Sequence, residues 1–180
     1  MKKEIFQKIE IPKEVGVIIE GNTLNIKGVK GESKRAFNII NIEFKKDDNA
    51  IIIGSKTATK REKKKINTIV SHVKNMIKGV QEGFEYKLKI CYSHFPISVE
   101  IKGNRAIIKN FLGEKKEREV KIPSGVDVRV DKEIIIINSV DKELAGQTAA
   151  NFETATKIRM RDRRIFQDGI FIINKAGKEI

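Results

Sequence analysis

A chain of 180 residues that is 39% hydrophobic and 34% charged can bury a core, in one large domain or two small ones, and is not a disordered polypeptide. Lys and Arg number 37 against 24 Asp and Glu, and the resulting +13 suits a polyanionic partner such as nucleic acid or an anionic membrane surface. One cysteine, Cys91, excludes an internal disulfide and a cysteine-based zinc site, and the lack of a bilayer-length apolar run or a secretory leader predicts a soluble intracellular protein.

A motif near the start of the chain returns once. At a constant offset of 82, nine of the eighteen positions from Val17 to Lys34 are identical to their counterparts, including Gly21/Gly103, Asn22/Asn104, Ile26/Ile108 and Gly31/Gly113. Chance gives about one match. In chain order, alternating Val15, Val17 and Ile19, a Gly21-Asn22 turn, then Leu24 and Ile26 predict a β-hairpin. Residues 34–44 and 50–55 are two further expected strands around Asp47-Asp48-Asn49. Ile66, Ile69, Val70, Val73, Met76 and Ile77 keep helical spacing, so an amphipathic helix is predicted over about 59–78, with Gly79 closing it. An apolar strand at 84–90 follows.

The second copy repeats the string. Ile97, Val99 and Ile101 alternate, then Ala106 and Ile108; strands are expected at 115–122, 126–130 and 133–138, with a turn at Pro123-Ser124-Gly125. Its helix, about 145–159, directs Ala149, Phe152 and Thr156 inward, and a closing strand covers 170–173. Strands on one side and a helix on the other define an α+β fold of two tandem duplicated domains, 1–82 and 83–180. Each is expected to be a mostly antiparallel β-sheet packed with one α-helix.

No convergent catalytic constellation is visible. His72 falls in the first helix and His94 in a turn before Pro96, and both read as structural or surface histidines; Cys91 reads as a small core residue. The glycines of Gly28-Val29-Lys30-Gly31 and at Gly113 lie between strands and read as turn residues, not phosphate loops. Two basic clusters stand out. Lys60, Arg61, Lys63, Lys64 and Lys65 surround the start of the first helix, where cations oppose the helix dipole. Lys157, Arg159, Arg161, Arg163 and Arg164 follow the second helix with only Asp162 among them. Guanidinium groups fork onto phosphates and stack on bases, so the second cluster is the stronger RNA-binding candidate. Aromatic residues are few and no RRM signature is present, which points to backbone and shape recognition. By charge the first half of the chain is the more basic, with 20 cations and 11 anions in residues 1–90 against 17 and 13 in 91–180. A free-standing nucleic-acid-binding module could use that excess.

The stretch Ala145-Gly146-Gln147-Thr148-Ala149-Ala150-Asn151, Lys157 and Arg164-Ile165-Phe166-Gln167-Asp168-Gly169-Ile170-Phe171-Ile172, with Asn110-Phe111-Leu112-Gly113-Glu114-Lys115, resembles the archaeal and eukaryotic-type branch of the large-subunit ribosomal protein family numbered six. Phe171 departs from the tyrosine usual there. The resemblance implies a structural, non-enzymatic, cytoplasmic constituent of the large ribosomal subunit with no cofactor and no small-molecule substrate. It implies binding of large-subunit rRNA mainly through the second domain, near the sarcin–ricin loop and the stalk base, with neighbouring subunit proteins and translation factors in the vicinity. On this sequence the implied rRNA surface centres on Gln147, Asn151, Lys157, Arg159, Arg161, Arg163 and Arg164, with Lys115, Lys116 and Lys175 as lesser members.

Overall fold

The computed structural model describes residues 3–47, 49–162 and 164–180. Arg163 of the basic cluster and Asp48 of the first-unit turn lie outside the described residues. The chain divides into two compact units, Met1–Gly83 and Phe84–Ile180.

In the first unit, β1 (Lys3–Glu10), β6 (Ala50–Ala58) and β5 (Glu43–Asp47) form an antiparallel sheet in the order β1-β6-β5. A second sheet joins β2 (Gly16–Glu20), β3 (Thr23–Gly28) and β4 (Gly31–Ala36) in sequence order. The repeat hairpin is β2-β3, turning at Gly21-Asn22 with Gly21 at φ 58°. Helix α1 (Lys60–Gln81) packs against both sheets and buries Ile66, Ile69, Val70, Val73, Met76, Ile77 and Val80.

Strand β1 has no signature in the sequence pattern. Gln7 interrupts the apolar alternation of Ile5 and Ile9, and in the fold its amide donates to Asn67 Oδ1 on α1 at 2.9 Å. The expected strand 34–44 is two strands separated by an irregular segment. There Phe37 and Ile42 are buried as plugs while Asn41 turns the chain at φ 61°, so core residues mimic strand alternation. Gly79 does not close α1. Val80, fully buried, extends the apolar stripe another turn; the helix runs to Gln81 with Glu82 as its cap, and the chain then turns at Gly83, whose φ of 78° suits glycine and whose N–H donates to Gly79 O at 2.9 Å. The cationic first turn is held by a capping box: Thr59 N–H donates to Glu62 Oε2 at 2.9 Å and Thr59 Oγ1 accepts from Arg61 N–H.

The second unit has a five-stranded sheet in the order β11-β12-β7-β13-β14, made of β7 (Phe84–Cys91), β11 (Val126–Asp131), β12 (Ile134–Ser139), β13 (Gly169–Lys175) and β14 (Lys178–Glu179). A three-stranded sheet holds β8 (Ser98–Lys102), β9 (Arg105–Lys109) and β10 (Arg118–Lys121). Residues 115–117, expected to be strand, are loop. Strand β7 opens the second unit, pairing there with β12 and β13. Cys91, at its end, is half-buried on the face opposite Leu88 and Ile90, so it is not a core residue.

Helix α2 (Lys142–Ala155) starts three residues before its expected position because Asp141 caps it, accepting from Glu143 N–H at 2.8 Å. It ends four residues early, yet Ala149, Phe152 and Thr156 do face inward, into a core with Tyr86, Leu88, Phe111, Ile135 and Ile170. The whole is α+β, two tandem duplicated units of antiparallel sheet and one helix each. Among the described residues no helix is long and apolar enough to cross a membrane.

Candidate nucleic-acid interface

The basic loop exists because α2 stops. Thr156 turns its hydroxyl back on the helix, donating to Phe152 O at 3.1 Å, and the same oxygen accepts from Ile170 N–H of β13 at 3.0 Å. Arg118 seals the end, its Nη1 donating to Ala155 O at 2.6 Å, where a cation favours the negative pole of the helix. That guanidinium lies 4.2 Å above the Phe111 ring and binds Glu114 through two nitrogens at 2.5 and 2.8 Å. The paired guanidinium in turn holds the Glu114 carboxyl below its ordinary range. Beyond this seal the chain leaves the helix at Lys157 and rejoins the sheet only at Gly169.

Asp168 anchors the far end of the loop. Its side chain is 1% exposed. Oδ1 accepts from the N–H groups of Ser93 and His94 at 2.8 and 3.1 Å; Oδ2 accepts from the Ser93 hydroxyl at 3.2 Å and lies 2.7 Å from His94 Nδ1. Burial pushes this carboxyl's pKa up, but the bonds from His94 and Ser93 outweigh it and hold the pKa at about 2. The cluster is not a nucleophile relay. Ser93 Oγ and Asp168 Oδ2 approach the same ring nitrogen, so no imidazole stands between acid and hydroxyl. His94 is structural, stacking on Phe166 with centroids 4.8 Å apart, and Arg161 covers the same ring at 4.9 Å.

The loop therefore carries exposed cations on a fixed frame. Lys157, Arg159, Arg161 and Arg164 are all exposed. Arg164 folds onto Asp162 at 2.9 Å, an exposed pair of small energetic weight that can open to a phosphate. Lys157 and Arg159 form no ion pair among the described residues and need break none to meet an anion. Arg159 and Arg161 line a cleft of about 580 Å³ with Phe111, Glu114 and Arg118, which sets the 114–118 loop beside them. Lys115 and Lys116 are exposed on that loop. Gln147 and Asn151 stand one turn apart on α2, Gln147 Nε2 donating to Asn151 Oδ1 at 2.9 Å, which orients the Gln147 carbonyl as an acceptor and the Asn151 NH2 as a donor for a partner. Lys175 is not part of this group: it lies at the opposite end of β13, about 20 Å of strand from Gly169.

Sequence reasoning missed the residues that build the frame. Arg118 reads as one more charged strand residue, and Asp168 carries no local mark of burial. The repeat itself held a signal, because Asp168 aligns with Glu82 in the matching Gln-acid-Gly motif, yet the two environments are opposite.

The family model described as ribosomal protein L6 matches residues 11–83 and 95–169. A protein of Methanococcus vannielii named large ribosomal subunit protein uL6 is 48% identical over 174 residues, covering 97% of this chain and 96% of that protein. Its namesake from Methanothrix thermoacetophila is 45% identical over 175 residues, covering 97% and 99%.

Proposed function

Since the chain belongs to the ribosomal protein L6 family, we propose that it is a structural constituent of the cytoplasmic large ribosomal subunit, binding the subunit's rRNA through the basic loop of the second unit. It acts by holding RNA in place and has no enzymatic role. The site of attachment is near the sarcin–ricin loop and the stalk base, beside neighbouring subunit proteins and within reach of translation factors. One observation carries the reading: exposed Lys157, Arg159, Arg161 and Arg164 project from a loop pinned at one end by Arg118 and at the other by buried Asp168. A pre-ordered cationic loop meets phosphates without first losing its own freedom. Gln147, Asn151, Lys115 and Lys116 extend the surface, and Lys175 is at most peripheral to it. Relatives that match along nearly their whole length favour this reading over a free-standing nucleic-acid module.

Salt dependence tests it. Replacing Arg159, Arg161, Arg163 and Arg164 together by Ala should lower the slope of log affinity against log salt by about 0.7 to 0.9 per phosphate contact removed, read by filter binding to a large-subunit rRNA transcript. An unchanged slope overturns the assignment.

A further inference from the structure

Beside the basic loop lies a second cleft, of about 900 Å³, that the phosphate-binding reading leaves unused. Its walls include Tyr92, Glu153, Lys157, Gln167 and Phe171. Tyr92 and Phe171 are 44% and 46% exposed, large apolar surface for two rings in one cleft. Phe171 leans on Gly169, where a Cβ would come within 3.1 Å of the ring; glycine there leaves room for the ring. Phe166, by contrast, has His94 and Arg161 against its ring, and is committed to the loop.

We propose that this cleft receives an unpaired base of the bound RNA, stacked on Phe171, while its flanking phosphates meet Lys157 and the loop arginines. The inference rests on the rRNA reading and deepens it. Charge decides which part of a nucleotide enters. Cations stand at Lys157 and on the adjoining loop, whereas Glu153 and Gln167 on the cleft walls offer acceptors. Glu153 is held in place by Ile172 N–H, which donates to its Oε1 at 3.0 Å, and Gln167 Nε2 donates to Arg164 O at 3.3 Å, leaving its amide oxygen without a partner among the described residues. A carboxylate repels phosphate and accepts from the amino or imino edge of a base. The volume falls in the range of small-ligand sites and accommodates one nucleotide.

The test uses the full chain and a large-subunit rRNA transcript across a salt series. Phe171→Leu keeps apolar bulk and removes the π face, so affinity should fall about tenfold at every salt concentration, the slope staying as in the parent, because base–aromatic stacking is uncharged. Phe171→Tyr should restore it. Ultraviolet crosslinking should join a nucleotide to the peptide containing Phe171 or Tyr92. Leucine binding within twofold of the parent, or a changed slope, overturns the base pocket. If in addition the arginine replacement flattens the slope, the phosphate reading stands without it. If the arginine replacement leaves the slope unchanged, the rRNA reading itself falls.

Discussion

The two units are copies that diverge after the helix cap. In the first, α1 runs 22 residues from Lys60 to Gln81 and returns to the next strand through Glu82 and Gly83. In the second, α2 runs 14 residues, and the chain between Thr156 and Gly169 becomes a basic loop. The matching acidic residues record the difference. Glu82 has a 69% exposed side chain and a 3.7 Å pairing with Lys78 along the helix, whereas Asp168 is 1% exposed and holds the loop to Ser93 and His94. A similar contrast holds at the helix end. Ser33 pairs with Ile26 in the first unit as Arg118 pairs with Ile108 in the second, and only the arginine can reach a helix terminus. Stability of the repeat and presentation of charge have been separated. One copy keeps the long apolar helix, and the other gives up eight helical residues and gains an ordered cationic surface.

The sharpest way to break this contrast is to remove the anchor. Asp168→Ala leaves the Ser93 and His94 donors unsatisfied around a buried site and should destabilise by about 2 to 4 kcal/mol in urea melts, with rRNA affinity falling as the loop loosens. Glu82→Gln should stay within about 0.5 kcal/mol. Equal effects would dissolve the distinction. The same carboxyl predicts a pH dependence. Its folded pKa of about 2 lies below the ordinary aspartate range, so its contribution is complete above about pH 4 and is lost as pH falls toward 2. Asp168→Asn should remove that portion of the acid-limb slope.

Next in size, Arg118→Ala should cost about 1 to 2 kcal/mol through the lost helix seal and the Phe111 contact, and Arg118→Lys should recover only part of it, since an ammonium cannot bridge Glu114, Phe111 and Ala155 O together. Full recovery by lysine would show that charge alone holds the helix end. The smallest effect is expected in the first unit. Lys63, Lys64 and Lys65 changed together to Ala should be near neutral or slightly stabilising, because cations oppose the dipole at that terminus, and should weaken rRNA binding less than loss of the loop arginines. If that triple change were the more damaging to binding, the first unit would be the principal RNA contact.

Local patterns in the sequence were enough for the duplication, both helices, most strands and the two basic clusters, because each is written in contiguous or periodic residues. Ile66 through Ile77 mark their helix face without any partner, and the Arg-rich run is visible as composition. Where the reading failed, the cause was non-local. Gln7 looks unsuited to a strand until Asn67 satisfies it, and Phe37 looks like strand until it is seen plugging a core. The end of α2 is capped by Arg118, 37 residues before Ala155 in sequence. The burial of Asp168 is decided by a turn 75 residues away. Sequence determined which charges this protein carries; tertiary structure alone decided which of them are held outward together, since that order comes from hydrogen bonds and packing between segments that no short window contains.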